Sequence, residues 1–226
     1  MATILAIGLV VSLGGPLLLT LAAKQFSFNS LSLLNRLSFW VLAIAVLVIT
    51  AYGGGAWLLR MGVRPFEWVD CLGTIVAIIA MLAGMIILPQ LVAKLGFKGT
   101  TGSEFQKKVY SLSVPYRLFV VITAAVTEEI LYRGYAIGIG QGVWNSLAAA
   151  FVVSLLVFVG AHFAHGAKAL VTVFWVSLVM SFLFVATNNL FTCIIAHFVV
   201  DAFGVLFVPW IAARQRTQGI SSAKEG

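Results

Sequence analysis

Three short polar runs interrupt otherwise apolar stretches, and together their side chains carry the groups of a general base acting on water. They are Thr127-Glu128-Glu129-Ile130-Leu131-Tyr132-Arg133, Phe158-Val159-Gly160-Ala161-His162 and His197-Phe198-Val199-Val200-Asp201. Glu129 and Arg133 are four residues apart with the acid N-terminal, so on a helix they meet on one face and neutralise each other away from water. Glu128 is turned about 100° from Glu129, cannot share Arg133 in ideal geometry, and needs another partner. A carboxylate with no fixed cation beside it is able to take a proton from water as a general base. His162 and His197 are the residue types that share such a water or hold developing negative charge, and His197 with Asp201 is again an i,i+4 pair.

Structural readings stand beside these roles. Glu129 and Arg133 also suit an internal staple, whatever their effect on chemistry. His165, three residues beyond His162, reads as interfacial, and Phe158 earns notice among 17 phenylalanines only by its spacing to His162. A buried Glu/His/Asp set also marks proton or cation relays, but nothing suggests inverted repeats or proline-broken helix pairs, which ranks transport last.

The elements that must hold these groups are membrane helices. Of 226 residues, 62% are apolar and 9% charged, and the mean hydropathy is +1.08. That is too little polar surface for a soluble domain. The net charge of +7 comes from 14 Lys and Arg that form no basic block interleaved with aromatics, so nucleic acid is a poor partner. Crossing the hydrocarbon core takes about 20 apolar residues, and seven such stretches emerge: 2–23, 37–59, 68–93, 118–138, 146–164, 169–187 and 190–211. The first has no Lys or Arg ahead of it and is longer than a signal-peptide core, so it reads as a retained span. The expected fold is all-α and polytopic, with about seven transmembrane helices.

Seven spans divide the connections into two sets. One holds Lys24, Arg36, Lys94, Lys98, Lys107, Lys108, Arg117, Lys168, Arg214, Arg216 and Lys224, and the other only Arg60 and Arg64. The positive-inside rule then puts the N-terminus outside and the C-terminus in the cytoplasm. Arg133 belongs to neither set because it lies within a span.

Residues 1–117 form a three-helix part ending in a polar cytoplasmic segment, 94–117; residues 118–211 form a four-helix part with the unusual polar groups; 212–226 is a cytoplasmic tail. Segment 94–117 reads either as a solvated loop or as an interfacial helix with Phe105, Val109, Tyr110 and Leu112 toward lipid and its lysines toward phosphate. Gly53, Gly54 and Gly55 mark either a close backbone approach or a helix break. Asn188 and Asn189 read as a tight turn outside the membrane, and Cys71 and Cys193 as two free thiols.

The E-E-x-x-x-R of Glu128 to Arg133, the F-x-x-x-H of Phe158 to His162 and the H-x-x-x-D of His197 to Asp201 resemble the CPBP family, also called the ABI or CAAX-protease and bacteriocin-processing family. That family includes the type II CAAX prenyl endopeptidases. The resemblance covers roughly residues 118–209 and implies an intramembrane protease with its site in a conical cavity between helices. It implies Glu128 as the base activating water, His162 helping to orient or deprotonate it, and His197 with Asp201 stabilising the oxyanion, with Glu129, Arg133 and Phe158 in support. The last motif position is usually Asn in the prenyl endopeptidases. An ionised Asp201 cannot donate to an oxyanion, so it is either protonated or orients and charges His197. The i,i+4 spacing fits the second option better.

The family was long described as metalloproteases. This chain has no H-E-x-x-H pair, and zinc would need ligands from three helices, so a metal-free site is favoured with zinc kept open. The expected substrate is a membrane-associated or CAAX-like peptide or protein, presented extended because an intact helix hides its carbonyls. The alternative function is a non-catalytic scaffold or bacteriocin-immunity protein gripping a peptide in the same cavity. The expected location is a bacterial plasma membrane.

Overall fold

The computed structural model describes residues 1–25, 31–96, 103–211 and 214, and among them every regular element is helical. The first helix, α1, spans residues 2–25 and contains a wider π turn at Val10–Gly14. There follow α2 (Leu33–Tyr52), α3 (Gly55–Arg60), α4 (Trp68–Lys94) and α5 (Ser103–Tyr110). Helix α6 spans residues 114–143, with a long π stretch at Glu129–Ile139. The chain ends with α7 (Leu147–Ala161), α8 (Ala167–Thr187) and α9 (Leu190–Ile211), the last with a π turn at Phe203–Phe207.

Local chemistry explains the boundaries. Side-chain oxygens of Ser32, Ser146 and Asn189 accept the first backbone N–H groups of α2, α7 and α9, each satisfying a donor the helix cannot reach. Asn188 is left-handed at the end of α8 (φ 43°), so the Asn188-Asn189 pair is the tight turn expected there. The stretch 37–59 is not one helix. α2 starts earlier, at Leu33, and stops at Tyr52, and Gly54 turns the chain at φ +94° before α3, a backbone state that L side chains rarely adopt. The triple glycine is therefore a helix break.

The chain is a multi-pass membrane protein. Residues Ala2–Ala23 and Leu190–Ile211, together with α2, α4 and α8, are long and apolar enough to cross a bilayer. Their outer faces expose Leu18, Val41, Val48, Val76, Ile79 and Phe182, as lipid contact requires. The other two expected spans are helical but different. α6 carries Arg117, Glu128, Glu129 and Arg133, and every residue from Glu129 to Ile139 is buried. α7 has 15 residues, about 22 Å of helix, short of the ~30 Å hydrocarbon core. A helix that short does not span the core by itself.

α6 is the axis of the molecule. On one side Ile130, Leu131, Tyr132, Tyr135 and Ile139 pack with Leu5 and Leu9 of α1, Ala43 and Val46 of α2, and Phe158 of α7. On the other, Ile137 joins Ala77 and Met81 of α4, Met180 and Phe184 of α8, and Cys193, Ala196 and Val200 of α9. Helices of 1–117 and of 118–211 thus share both cores.

Segment 94–117 contains the helix α5, whose described apolar residues pack against protein. Val109 is buried against Leu31 and Val120, with Tyr110 and Leu112 packed around them, while Lys107 and Lys108 are exposed. The amphipathic pattern was real, but its apolar face found protein. The side chain of Phe105 lies outside the described residues. Cys71 is exposed, Cys193 is buried, and both are free.

Candidate active site

The three motifs converge where α6, α7, α8 and α9 meet. Glu129 Oε1 accepts from Arg133 Nη1 at 2.9 Å and from His197 Nδ1 at 2.7 Å. One carboxylate oxygen therefore ties the first motif to the third. Arg133 extends the tie to α8, donating from Nη2 to Ser177 Oγ (2.9 Å) and to the Ser177 carbonyl (3.2 Å). Its guanidinium lies 4.7 Å from the centre of the Phe158 ring, which is 4.5 Å from the His162 ring and edge-on to Tyr132. Phe158 is the spacer between the Arg133 charge and His162.

The two histidines are held differently. His162 Nδ1 lies 2.8 Å from the Phe158 carbonyl one turn back. A carbonyl only accepts, so Nδ1 carries the hydrogen, and Nε2 is the accepting nitrogen of the neutral ring. His197 donates from Nδ1 to Glu129, and its Nε2 faces Asp201 Oδ2 at 3.5 Å. Both acids thus address one imidazole, the closer contact being from Glu129. That bond across helices was not legible in the motif spacing, which linked His197 only to Asp201.

Burial grades across the site. Glu129 and Arg133 are 0% and 1% exposed, whereas Asp201 keeps 37% of its side chain open. Glu128 and His162 are half-buried. Among the described residues Glu128 makes no hydrogen bond and no ion pair, although His197, Asp201, Arg36 and Glu129 lie near enough for their charges to act on it. A half-open carboxylate thus stands beside a buried one that holds two donors on a single oxygen.

Sequence reasoning missed two contributors. Ser177 sits in an apolar span; its signal is a buried serine with a second, Ser181, one turn on. Arg36 was counted among the connecting cations, but it lies in the first turn of α2 and acts on both Glu128 and Asp201. His165 falls in the 3-10 turn Phe163–His165 after α7, and its side chain is outside the described residues. A cavity of about 490 Å³ lies elsewhere, lined by Arg60, Gln141, Leu147, Phe184 and Asn188 among others, and no motif residue borders it. No group of three or more His, Cys, Asp or Glu among the described residues is arranged to hold a metal ion. The Nδ1 atoms of both histidines are engaged by protein oxygens.

Fold and site together define a helical, multi-pass membrane protein with a carboxylate–histidine centre at its core. Residues 110–203 match the family model described as Type II CAAX prenyl endopeptidase Rce1-like. This matched region holds every motif residue. The chain is also similar to the "Uncharacterized protein YpbD" of Bacillus subtilis (strain 168), with 29% identity over 133 residues, 58% of this chain and 64% of YpbD. The chain thus matches less than two thirds of that relative's length. No solved structure matches.

Proposed function

We propose that the protein is an intramembrane endopeptidase of the CAAX type, using a water activated by Glu128 and no metal. Glu128 accepts a proton from water, with His162 Nε2 as the second acceptor that orients it. The water oxygen bonds to the scissile carbonyl carbon, and the carbonyl oxygen takes the negative charge. His197, held through Nδ1 by Glu129 and with Asp201 behind Nε2, faces that charge. When the C–N bond breaks, the proton taken by Glu128 passes to the leaving amine. Arg133, Ser177 and Phe158 keep this geometry. The observation that carries the proposal is the contrast between Glu128, unpaired and half-open, and Glu129, buried and doubly bonded. The N-terminus lies outside and the C-terminus inside, as the distribution of Lys and Arg indicates.

The test is cleavage of a farnesylated C-A-A-X peptide by the full chain in liposomes. Glu128→Gln and His162→Ala are expected to lose about 10²–10⁴-fold in rate with helix content and melting unchanged. Wild-type cleavage by Glu128→Gln overturns the mechanism. Full activity after chelation supports the metal-free site, whereas activity restored only by added zinc overturns it.

A further inference from the structure

The two helices that carry the acids share a backbone feature the chemistry above does not use. α6 widens from α to π geometry at Glu129, the residue after Glu128, and α9 does so at Phe203, two residues after Asp201. A π stretch bonds each N–H to the fifth carbonyl back instead of the fourth, is rare, and is found frequently at functional sites. Relaxing it to α advances everything beyond by about one residue, or ~100° of rotation. Such a stretch persists only where its surroundings hold it.

In each wide stretch two successive carbonyls are held by side chains from other elements. In α6 the Leu131 carbonyl accepts from Ser12 Oγ of α1, and the Tyr132 carbonyl from Ser154 Oγ of α7 at 2.8 Å. In α9 the Gly204 carbonyl accepts from Tyr110 Oη and the Val205 carbonyl from Arg117 Nη1, both at 3.1 Å. Ser12 and Ser154 are 0% and 1% exposed, so neither has water as a substitute partner. Ser12 itself lies in the π turn of α1. Around it α1 is latched to α6: Tyr135 Oη donates to the Leu5 carbonyl at 3.1 Å, and a Cβ added to Gly8 would stand 1.9 Å from that hydroxyl.

We propose that Ser12 and Ser154 are positioning residues that lock the π register of α6 and thereby the placement of the acid pair. Glu128 precedes the wide stretch, while Arg133 lies inside it. The register therefore sets the angle between the base and the Glu129–Arg133–His197 tie. Without the serine hydroxyls, the Leu131 and Tyr132 carbonyls revert to their own helix's N–H groups four residues on. Arg133 then turns away from Ser177 and Phe158. α1, outside the family-matched region 110–203, becomes part of the catalytic apparatus.

The activity arm rests on the protease reading, so a second readout is independent of it. Ser12→Ala, Ser154→Ala and the double variant are compared, in nanodiscs, with Ser181→Ala, a buried serine whose hydroxyl has no hydrogen-bond partner among the described residues. The readouts are kcat and KM on the farnesylated peptide, and amide hydrogen exchange over 129–139. The double variant is expected to keep its helix content and lose about 10–100-fold in kcat with KM within about twofold. Its exchange pattern over 129–139 changes, whereas Ser181→Ala changes neither readout. Ser12→Thr, which restores the hydroxyl, recovers kcat. A double variant matching Ser181→Ala in both readouts overturns the lock. If the double variant does not fold, the single variants and Ser12→Thr decide by the same criteria. If the wild-type chain or Glu128→Gln departs from the expected cleavage, the protease reading fails, and hydrogen exchange alone decides the lock.

Discussion

Two polar clusters lie within this apolar chain, built from similar residues, and they differ in how completely their bonds are used. The cluster between α3 and α9 is closed. Asp70 Oδ1 accepts from Arg64 at 2.7 Å, and Oδ2 accepts from the Glu67 N–H and from Asn189 Nδ2, each at 2.8 Å. Arg64 also reaches the Thr187 carbonyl at 2.8 Å and Glu67 at 3.3 Å. Every oxygen of Asp70 is occupied, and the group caps α4 and ties it to the α8–α9 turn. The motif cluster is open. Glu129 crowds two donors onto Oε1 while Oε2 has none, Tyr132 Oη has no partner among the described residues, and Glu128 is unpaired. A buried unsatisfied group costs about 1–3 kcal/mol, so natural proteins keep few of them. Within a membrane protein a charge alone does not mark function; residual bonding capacity does.

Substitutions in the two clusters should separate along that line. The largest effect expected is on chemistry: Glu128→Gln removes about 10²–10⁴-fold of the cleavage rate without moving the melting temperature. His197→Ala should follow at about 10²-fold in kcat, read in the same peptide assay. Arg133→Met leaves Glu129 buried without its guanidinium and is expected to cost about 3–5 kcal/mol of stability, with denaturation of the reconstituted chain as the measurement. A destabilised but fully active Arg133→Met would show that the tie is a staple alone. Asp70→Asn, in the closed cluster, should lower the melting temperature by about 3–8 °C and leave kcat unchanged; a loss of rate at constant stability would erase the distinction between the clusters. Cys71→Ser, exposed and outside both, should change neither.

Much of the fold was legible because apolar run length is a local property. All seven expected stretches are helical over most of their length, though only five have the length and apolarity of a full span. The exceptions have local causes. Gly54 ends α2 at a point the apolar count ran through, and the apolar side of α5 packs against Leu31 and Val120. The Glu129–Arg133 pair was readable for the same local reason, four residues on one helix. The bond from Glu129 to His197 joins residues 68 apart, and Ser177 reaches Arg133 from a span with no other mark. Neither can be read from spacing, because spacing within a helix says nothing about which helix packs against it.

The sequence by itself determined that this is a helical membrane protein and where its unusual polar groups stand, since lipid disfavours unpaired charge and the motifs interrupt apolar stretches. The tertiary structure decided how the surroundings of the two glutamates differ. Their order in the chain only turns them to different faces of α6. The packing of α8 and α9 adds Ser177 and His197 to the face that carries Glu129 and Arg133, and leaves Glu128 on the other unpaired and half-open.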